Sequence, residues 1–519
     1  MDALPRTTVV GIVGAGTMGA GIAQVAAQAG HTVLLHDAQS GAAEAAVARV
    51  AATLSKLVER GKLSVDECAA TTARLRAVAA IEGLAPAGLV VEAIVERVDA
   101  KRALFERLER IVGEQAILAS NTSSLSITAL AATLAHPRRF AGLHFFNPAP
   151  IMRLVEVVSG LATPPDLAAV LAETVRAWGK EPVHARSTPG FIVNRCARPF
   201  YGEALRIVQE GGADPATVDA IMRDAGGFRM GPFELMDLIG HDVNFEVTRS
   251  MHASSYGDPR YLPSVLQQDL VAAGRLGRKS GRGFYDYADG AERPAPATAA
   301  PAPRPRRVTV VGSLGPAEAL VELVERSGVT VDRAAGEGMF DVDGVTVALS
   351  DGRTATERKW AESSKSSRLG HSSFREITVF DIALDFAQAK RIAITASDQA
   401  SPRALEAATG FFQALGKEVS IVGDLPGLVV LRTVSLLVNE AADAVQQGVC
   451  SARDLDTAMQ SGVNYPCGPL AWADALGLPF VLAVAENIAR SYGEDRYRPS
   501  FLLRRRVQAR LPFREDLDT

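Results

Sequence analysis

A histidine and a glutamate lie at equal distances from a turn within residues 141–158. His144 ends an apolar, strand-like run, residues 147–150 are rich in Pro, and a second strand-like run contains Glu156. If the two runs fold back on one another about position 150, His144 and Glu156 face each other, since each lies six residues from that centre. A carboxylate in that place orients an imidazole for work as a general base. The alternative is an interior histidine beside an unrelated surface glutamate.

Polar side chains at two further places could take part in the same chemistry. The Ser/Thr/Asn-rich run 120–125 follows an apolar strand, at the sheet edge where open α/β folds bind ligands. Asn194 begins the helical part of the chain. Either feature alone could be a helix cap or an ordinary first turn. Ser123 and Asn194, together with His144 and Glu156, favour a catalytic interpretation.

A glycine motif near the amino terminus has the spacing of a dinucleotide-binding turn. The first glycine permits a tight turn, the second lets the backbone approach a pyrophosphate, and the third lets helix and strand pack closely. Asp37 ends the next strand, 18 residues after the motif, where it could accept hydrogen bonds from a ribose and repel a 2′-phosphate. We therefore expect NAD rather than NADP, although a packing turn with a surface aspartate is the alternative. The motif comprises Gly14, Gly16, Thr17, Met18 and Gly19.

The composition is that of an ordinary globular protein. The chain has 519 residues, of which 47% are hydrophobic and 22% charged, and its formal net charge is −4. With this net charge, the overall electrostatic field of the protein is not expected to attract nucleic acid or an anionic membrane. The first residues lack a signal-peptide pattern, and none of the four cysteines forms a CxxC pair. We expect a cytoplasmic enzyme without disulfides or a metal site.

The chain contains two related halves. Residues 288–307 hold five Pro and seven Ala and are predicted to be a linker. Residues 155–244 match the sequence 237 positions later without a gap, so that Glu203 corresponds to Glu440. Near the two amino-terminal ends the offset is 298, which indicates that the second half has lost about 61 residues. The pattern predicts a tandem duplication with a truncated second copy.

Apolar strand-like runs alternate with helical patterns up to about residue 187, and only helical patterns follow until the linker. The predicted fold class is α/β plus all-α, with a mostly parallel, Rossmann-type sheet followed by a helical domain, the whole repeated in reduced form. The predicted domains are an NAD-binding domain (1–187), a helical substrate or dimerisation domain (188–287), the linker (288–307), a degenerate Rossmann-like domain (308–424) and a second helical domain (425–519).

Five motifs together resemble the L-3-hydroxyacyl-CoA dehydrogenase family, and the match extends over the first 287 residues. The resemblance implies a Rossmann domain, a helical dimerisation domain, NAD as cofactor and an acyl-CoA substrate. The motifs are Gly14–Gly19, Val90–Glu96, Asn121–Ser124, His144–Pro148 and Pro189–Arg195.

The resemblance also implies roles for individual residues. His144 would be the base and Glu156 its partner, while Ser123 and Asn194 would bind the reacting oxygen of the substrate. In the implied reaction, His144 takes the 3-hydroxyl proton while hydride passes from C3 to NAD⁺. The residues implied near the cofactor are Asn121, Glu96 and Lys101, and those implied near CoA are Lys56 and Arg60.

The second half departs from these motifs. Leu314 replaces the second glycine, Leu431 replaces Asn194, Ala393 replaces Glu156, and Asp381 stands in the place of His144. We expect neither NAD binding nor catalysis there. In the family the helical domain contacts a partner subunit, so two helical domains in one chain could form that interface as an internal pseudo-dimer. A further homo-oligomer remains open.

The long form with a degenerate second half is similar to the family's subgroup for 3-hydroxyadipyl-CoA, a compound of phenylacetate breakdown. An arginine could bind its distal carboxylate, with Arg229 the first candidate and Arg198 or Arg223 alternatives. Such an arginine could equally pair with Glu234 or Asp237. Rival functions are oxidation of short-chain 3-hydroxybutyryl-CoA, oxidation of free sugar acids as in relatives of lambda-crystallin, and a non-enzymatic, NAD-binding structural role. The lysine-dependent β-hydroxyacid oxidoreductases are a further alternative, which the His–Glu pair disfavours.

Overall fold

The computed structural model describes residues 2–368 and 376–514. These residues form two compact units. The first comprises residues 1–195 together with 447–463, and the second comprises 196–446 together with 464–519. Met1, residues 369–375 and residues 515–519 of the predicted domains lie outside the described part of the chain.

An eight-stranded sheet forms the centre of the first unit. Its order is β3-β2-β1-β4-β5-β6-β7-β8, and every neighbouring pair is parallel except β6 and β7, so the prediction of a mostly parallel sheet is confirmed. The sequence did not reveal the short strand β3 or the strand β8. The strands are β1 (Val9–Val13), β2 (Val33–His36), β3 (Leu75–Ala77), β4 (Ala87–Glu92), β5 (Ile117–Ser120), β6 (Phe140–Phe145), β7 (Leu154–Ser159) and β8 (Glu181–Arg186).

Helices cover this sheet because the strands between them are apolar on both faces, as buried parallel strands require. Val10, Ile12, Leu89 and Val91 are fully buried in one core with residues of the first helix. The helices are α1 (Thr17–Gln28), α2 (Ala42–Glu59), α3 (Val65–Arg74), α4 (Val98–Ile111), α5 (Ile127–Ala131), α6 (Pro165–Ala177) and α7 (Val193–Cys196), whose last residue begins the second unit.

The second unit opens with the helical region predicted after Pro189. It consists of α8 (Arg198–Gln209), α9 (Pro215–Asp224), α10 (Pro232–Ile239), α11 (His241–Ser254) and α12 (Val265–Ala272). The Pro/Ala-rich segment that follows lies along the second sheet, because Ala299 donates its N–H to Val419 and Ala302 donates to the side chain of Gln413.

The second sheet has seven strands in the order β10-β9-β11-β12-β13-β14-β15. Its strand β11 runs antiparallel to both neighbours, where the first sheet has the parallel strand β4. The strands are β9 (Arg307–Val311), β10 (Thr330–Ala334), β11 (Met339–Val342), β12 (Val345–Leu349), β13 (Glu376–Phe380), β14 (Arg391–Ala396) and β15 (Glu418–Ile421), and the helices among them are α13 (Ala319–Ser327), α14 (Ala355–Arg368) and α15 (Pro402–Ala414).

The described residues after β15 form α16 (Val430–Gln446), α17 (Ala452–Val463), α18 (Pro469–Leu476), α19 (Leu478–Tyr492) and α20 (Phe501–Ala509). Among the described residues no single helix has the length and apolar character to cross a membrane, although the sharply bent pair α18 and α19 meets that test jointly.

Candidate active site

The strands β6 and β7 place His144 directly opposite Glu156, and the register predicted from the sequence is confirmed. Nδ1 of His144 lies 2.6 Å from Oε2 of Glu156. His144 is 6% exposed and Glu156 is fully buried, so the pair is shielded from water while the ring keeps a narrow opening. The rings of Phe146 and Phe191 flank the imidazole.

The second oxygen of Glu156 holds the turn that leads into α7. Oε1 accepts hydrogen bonds from the backbone N–H groups of Ile192 and Val193, each at 3.0 Å. Asn194 is the next residue, so one carboxylate fixes both the histidine and the turn that carries Asn194. This second contact was not anticipated from the sequence, because nothing in the local pattern joins position 156 to position 192.

Asn194 and Ser123 are brought together, since Nδ2 of Asn194 donates to the carbonyl oxygen of Ser123 at 3.3 Å. The loop that carries Ser123 is held by Glu96. One oxygen of Glu96 accepts from the hydroxyl of Thr122 at 2.5 Å and from the N–H of Ser123 at 3.0 Å. Burial raises the pKa of Glu96, but Lys101 and Thr122 outweigh it and lower the pKa below its ordinary value.

Lys101 lies between two glutamates at the carboxyl end of β4. Its Nζ is 2.5 Å from Glu92 and 3.2 Å from Glu96, and its side chain is 1% exposed. Glu92, which is fully buried, also accepts from the hydroxyl of Ser120. Glu92 belongs to the motif Val90–Glu96, but no sequence pattern distinguishes it as a functional residue, and its position beside Lys101 is evident only in the fold.

The candidate cofactor residue Asn121 supports the neighbouring strand. Its N–H donates to the carbonyl of Glu92, and its side-chain oxygen accepts from the N–H of Phe145, the residue after His144. The ends of β4, β5 and β6 are therefore joined through one residue, by its backbone to β4 and by its side chain to β6, at the sheet edge that the sequence indicated.

The glycine motif has the geometry that a dinucleotide needs. Gly14 has φ = +105°, and a Cβ built at Gly19 would lie 1.8 Å from the carbonyl oxygen of Gly14. Among the described residues, and apart from Gly16 and its two chain neighbours, no atom lies within 4 Å of a Cβ built at Gly16, and no side chain caps the amino terminus of α1. Asp37 accepts from the N–H of Ala15 at 2.7 Å. An open backbone beside an uncapped helix terminus fits the pyrophosphate of NAD, and Thr17 and Met18 form the first helical turn.

The predicted substrate-binding basic residues lie in different surroundings. Lys56 and Arg60 are exposed at the carboxyl end of α2, one helical turn apart. Arg229 is exposed in the loop after α9. Arg223 instead forms an ion pair with Glu234, and Arg198 is buried and donates to Thr248.

A carboxylate also holds a turn beside the second sheet, where no histidine stands next to it among the described residues. Asp381 directly follows β13 and donates its N–H to the carbonyl of Ala393 on β14, and the two positions match His144 and Glu156 in the sequence comparison. Its carboxylate accepts from the N–H groups of Val429, Val430 and Leu431, the turn that corresponds to residues 192–194. In both units one carboxylate thus holds the turn, whereas the imidazole of His144 and the amide of Asn194 have no counterpart at Asp381 and Leu431.

Comparisons with known families agree with this geometry. A family model described as the NAD binding domain of 3-hydroxyacyl-CoA dehydrogenase matches residues 9–188, and the model for the C-terminal domain of the same enzyme matches residues 190–287 and 427–515. The chain belongs to the 3-hydroxyacyl-CoA dehydrogenase family. It is an NAD-dependent oxidoreductase, as the sequence motifs implied. A model for the reduced Rossmann-fold domain of 3-hydroxybutyryl-CoA dehydrogenase matches residues 347–426.

Individual members of the 3-hydroxyacyl-CoA dehydrogenase family resemble the chain over different lengths. The 3-hydroxyadipyl-CoA dehydrogenase of Escherichia coli (strain K12) is 45% identical over 96% of this chain and 97% of its own length. A probable 3-hydroxybutyryl-CoA dehydrogenase of Deinococcus radiodurans is 43% identical over 53% of this chain and 99% of its own. The crystal structure of 3-hydroxybutyryl-CoA dehydrogenase from E. coli K12 substr. MG1655 has a TM-score of 0.87 at 44% identity, covering 98% of this chain and 99% of that one.

Proposed function

We propose that the chain oxidises L-3-hydroxyadipyl-CoA to the 3-oxoacyl-CoA, with His144 as general base. The observation that carries the chemistry is the carboxylate of Glu156, which contacts His144 through one oxygen and the Asn194 turn through the other. The choice of acyl chain is supported by the near full-length similarity to 3-hydroxyadipyl-CoA dehydrogenase.

The contact at Nδ1 leaves Nε2 as the nitrogen of His144 that would act as the base. Nδ1 donates its hydrogen to Glu156, so Nε2 of the neutral ring is unprotonated and can accept the proton of the 3-hydroxyl group. Glu156 then stabilises the imidazolium that forms, because its negative charge lies 2.6 Å away in a buried site. A general base of this kind contributes about 10²- to 10⁴-fold to a rate.

Ser123 and Asn194 are proposed to hold the reacting oxygen as negative charge develops on it. Their contact with each other brings a hydroxyl and an amide donor into one small region. Donors fixed before the reaction stabilise developing charge without reorganisation, a contribution of about 3 kcal/mol for one donor. Glu96 and Glu156 fix the two backbone segments that carry these donors.

NAD, when bound, accepts the hydride from C3 of the substrate. The residues proposed to hold it are the glycine motif, Asp37 and the group Asn121, Glu96 and Lys101. Asp37 is proposed to bind the adenosine ribose and to disfavour a 2′-phosphate. Lys56 and Arg60 are proposed to bind CoA phosphates, since both cations are exposed on the same side of α2.

Arg229 is proposed to bind the distal carboxylate of the adipyl chain. Of the three arginines considered, Arg223 already pairs with Glu234, and Arg198 is buried against Thr248. Arg229 is exposed and so accessible to a ligand. Oxidation of 3-hydroxybutyryl-CoA is the second candidate, because the solved E. coli structure of nearly equal length bears that name.

The two halves are proposed to be a tandem duplication whose helical domains form an internal pseudo-dimer. Arg260 pairs with Glu440 at 3.0 Å, and Arg496 pairs with Glu203 at 2.7 Å. Glu203 and Glu440 are corresponding residues, and Arg260 and Arg496 correspond as well. The same contact is therefore made twice in opposite directions, which is the signature of a twofold interface.

The substrate assignment is tested by measuring NADH formation with a series of L-3-hydroxyacyl-CoAs. We expect the highest kcat/KM with the adipyl compound and a lower value with the butyryl compound. A higher kcat/KM for 3-hydroxybutyryl-CoA would replace the adipyl proposal with the second candidate. No NADH formation with any member of the series would reject the proposed reaction.

A further inference from the structure

Residues 447–463 come from the second half of the chain but belong to the compact unit that contains His144. They form a short loop and α17, and α17 packs on β7 and β8. The strand β7 carries Glu156, and β8 leads into the turn that precedes Asn194. The second half therefore supplies part of the surroundings of the candidate active site.

Hydrogen bonds fix the loop of this segment to both ends of the connection between β8 and α7. Arg186, the last residue of β8, donates its N–H to the carbonyl of Val449 at 2.8 Å. Nη1 of Arg195, the residue after Asn194, donates to Oε1 of Gln447 at 2.9 Å. The 186–195 connection is thus held on either side of the N–H groups that bind Glu156.

Gly462 in α17 allows the helix to approach Glu156 closely. A Cβ built at Gly462 would lie 2.5 Å from Cδ2 of Leu154 and 3.2 Å from Cγ2 of Val193. Leu154 lies two residues before Glu156 on β7, and Val193 donates its N–H to Glu156. Glycine weakens a helix interior by about 1 kcal/mol relative to alanine, and the close approach accounts for its presence here.

The same arrangement recurs where there is no histidine to position. Gly423 donates its N–H to the carbonyl of Gly212, which matches the contact of Arg186 with Val449. Arg432 donates to Glu210 at 2.9 Å, which matches the contact of Arg195 with Gln447. Each half thus receives a segment from the other at equivalent positions. The chain offers an internal control, because one of the two equivalent contacts flanks the turn that binds Glu156, the partner of His144, whereas the other flanks the turn that binds Asp381.

We propose that the 447–463 segment is a positioning element for the reaction, acting through Gly462 and Gln447. Gly462 sets the distance between α17 and the side chains beside Glu156, and Gln447 anchors Arg195 next to Asn194. The degenerate half is then needed for turnover as well as for folding. This inference rests on the proposed function, in which Glu156 orients the base and Asn194 binds the reacting oxygen.

The test compares Gly462→Leu with Ala225→Leu, which overpacks the corresponding position of the other copy. A displacement of about 1 Å at a catalytic group costs about 100-fold in rate, so we expect kcat to fall by about 30- to 100-fold in Gly462→Leu. We expect the KM for NAD⁺ to be unchanged, because the glycine motif lies at other strands. Ala225→Leu should lower Tm while kcat stays within about twofold, as for a packing change away from the chemistry.

A milder pair of variants covers the case in which Gly462→Leu does not fold. Gln447 is exposed, so Gln447→Ala should fold, and we expect kcat to fall about fivefold through loss of a charge-assisted hydrogen bond. Gln447→Glu keeps the acceptor, as Glu210 does for Arg432, and should restore kcat to within about twofold.

The possible failures are distinguishable. Wild-type protein without dehydrogenase activity would reject the proposed function. Active wild type together with a folded Gly462→Leu variant of normal kcat would reject the positioning role. Equal losses of kcat in Gly462→Leu and Ala225→Leu, or in Gln447→Ala and Gln447→Glu, would also reject it, since they would indicate general destabilisation.

Discussion

Glu156 faces His144 across two antiparallel strands and uses its two oxygens for different purposes. One oxygen orients the imidazole, and the other accepts two backbone N–H groups from the turn before Asn194. In the second half Asp381 performs only the latter task. The comparison separates the contact of a carboxylate with the turn from its contact with an imidazole.

His144→Gln should lower kcat by at least ~100-fold, because the variant lacks the group that accepts the hydroxyl proton. Affinity for NAD⁺, measured by calorimetry, should be unchanged, since the glycine motif lies on β1 and α1. Steady-state NADH formation gives kcat directly. A turnover near that of wild type would exclude His144 as the base.

Glu156→Gln should be more informative than an alanine variant. The backbone N–H groups of Ile192 and Val193 require an oxygen, so the amide nitrogen of the new side chain would face Nδ1 of His144. The ring would then carry its proton on Nε2 and could not accept the substrate proton. We expect kcat to fall by up to about 10⁴-fold, the scale seen for a wrong histidine tautomer, with Tm within a few degrees. A variant that keeps kcat but unfolds at much lower temperature would point to a purely structural role.

Arg229→Ala should raise the KM for 3-hydroxyadipyl-CoA by about 10-fold or more through loss of a charge-assisted contact. The KM for 3-hydroxybutyryl-CoA should be unaffected, because that substrate has no distal carboxylate. Arg223→Ala, which breaks the ion pair with Glu234, serves as the matched control and should not change this selectivity. Equal effects of Arg229→Ala on both substrates would remove the proposed carboxylate contact.

Lys101→Met should destabilise the first unit by about 3 kcal/mol, since it leaves the buried carboxylate of Glu92 without its cation. The free energy of unfolding from urea titration measures the loss. The double variant Lys101→Met with Glu92→Gln should recover part of it, because the uncompensated charge is then gone. Independent, additive losses in the two single variants would show that the pair is not coupled.

We expect Glu203 to make the stability of the folded protein depend on pH in the acidic range. Burial raises its pKa, but Arg496 and Arg432 outweigh burial and lower the pKa from 4.5 to about 2. A carboxyl group whose pKa is lower in the folded state stabilises that state at pH values above its pKa in the unfolded chain. This stabilisation is lost as the pH falls toward the pKa of the folded state. The full difference corresponds to about 3 kcal/mol. Tm should therefore fall less steeply between pH 5 and pH 3 in Glu203→Gln than in wild type. The exposed-site variant Glu246→Gln should keep the wild-type slope, and equal slopes in all three proteins would contradict the assignment.

Features that depend on neighbouring residues were predictable from the sequence. The return of β7 on β6 follows from a Pro-rich turn between two apolar runs, and this fixes the His144–Glu156 register. The glycine motif, its helix and Asp37 follow one another within 24 residues, so the dinucleotide turn was also visible. The match of Glu203 with Glu440 was visible as a constant spacing between similar residues.

Only the tertiary structure decided how distant segments share the site. Three contacts join positions far apart in the chain. They are the hydrogen bonds to the second oxygen of Glu156, the burial of Lys101 between two glutamates, and the packing of residues 447–463 on β7 and β8. No local pattern encodes such contacts, because each arises from the packing of whole elements against one another. For that reason the sequence determined which half carries the histidine, whereas the fold determined that the other half contacts the strand opposite it.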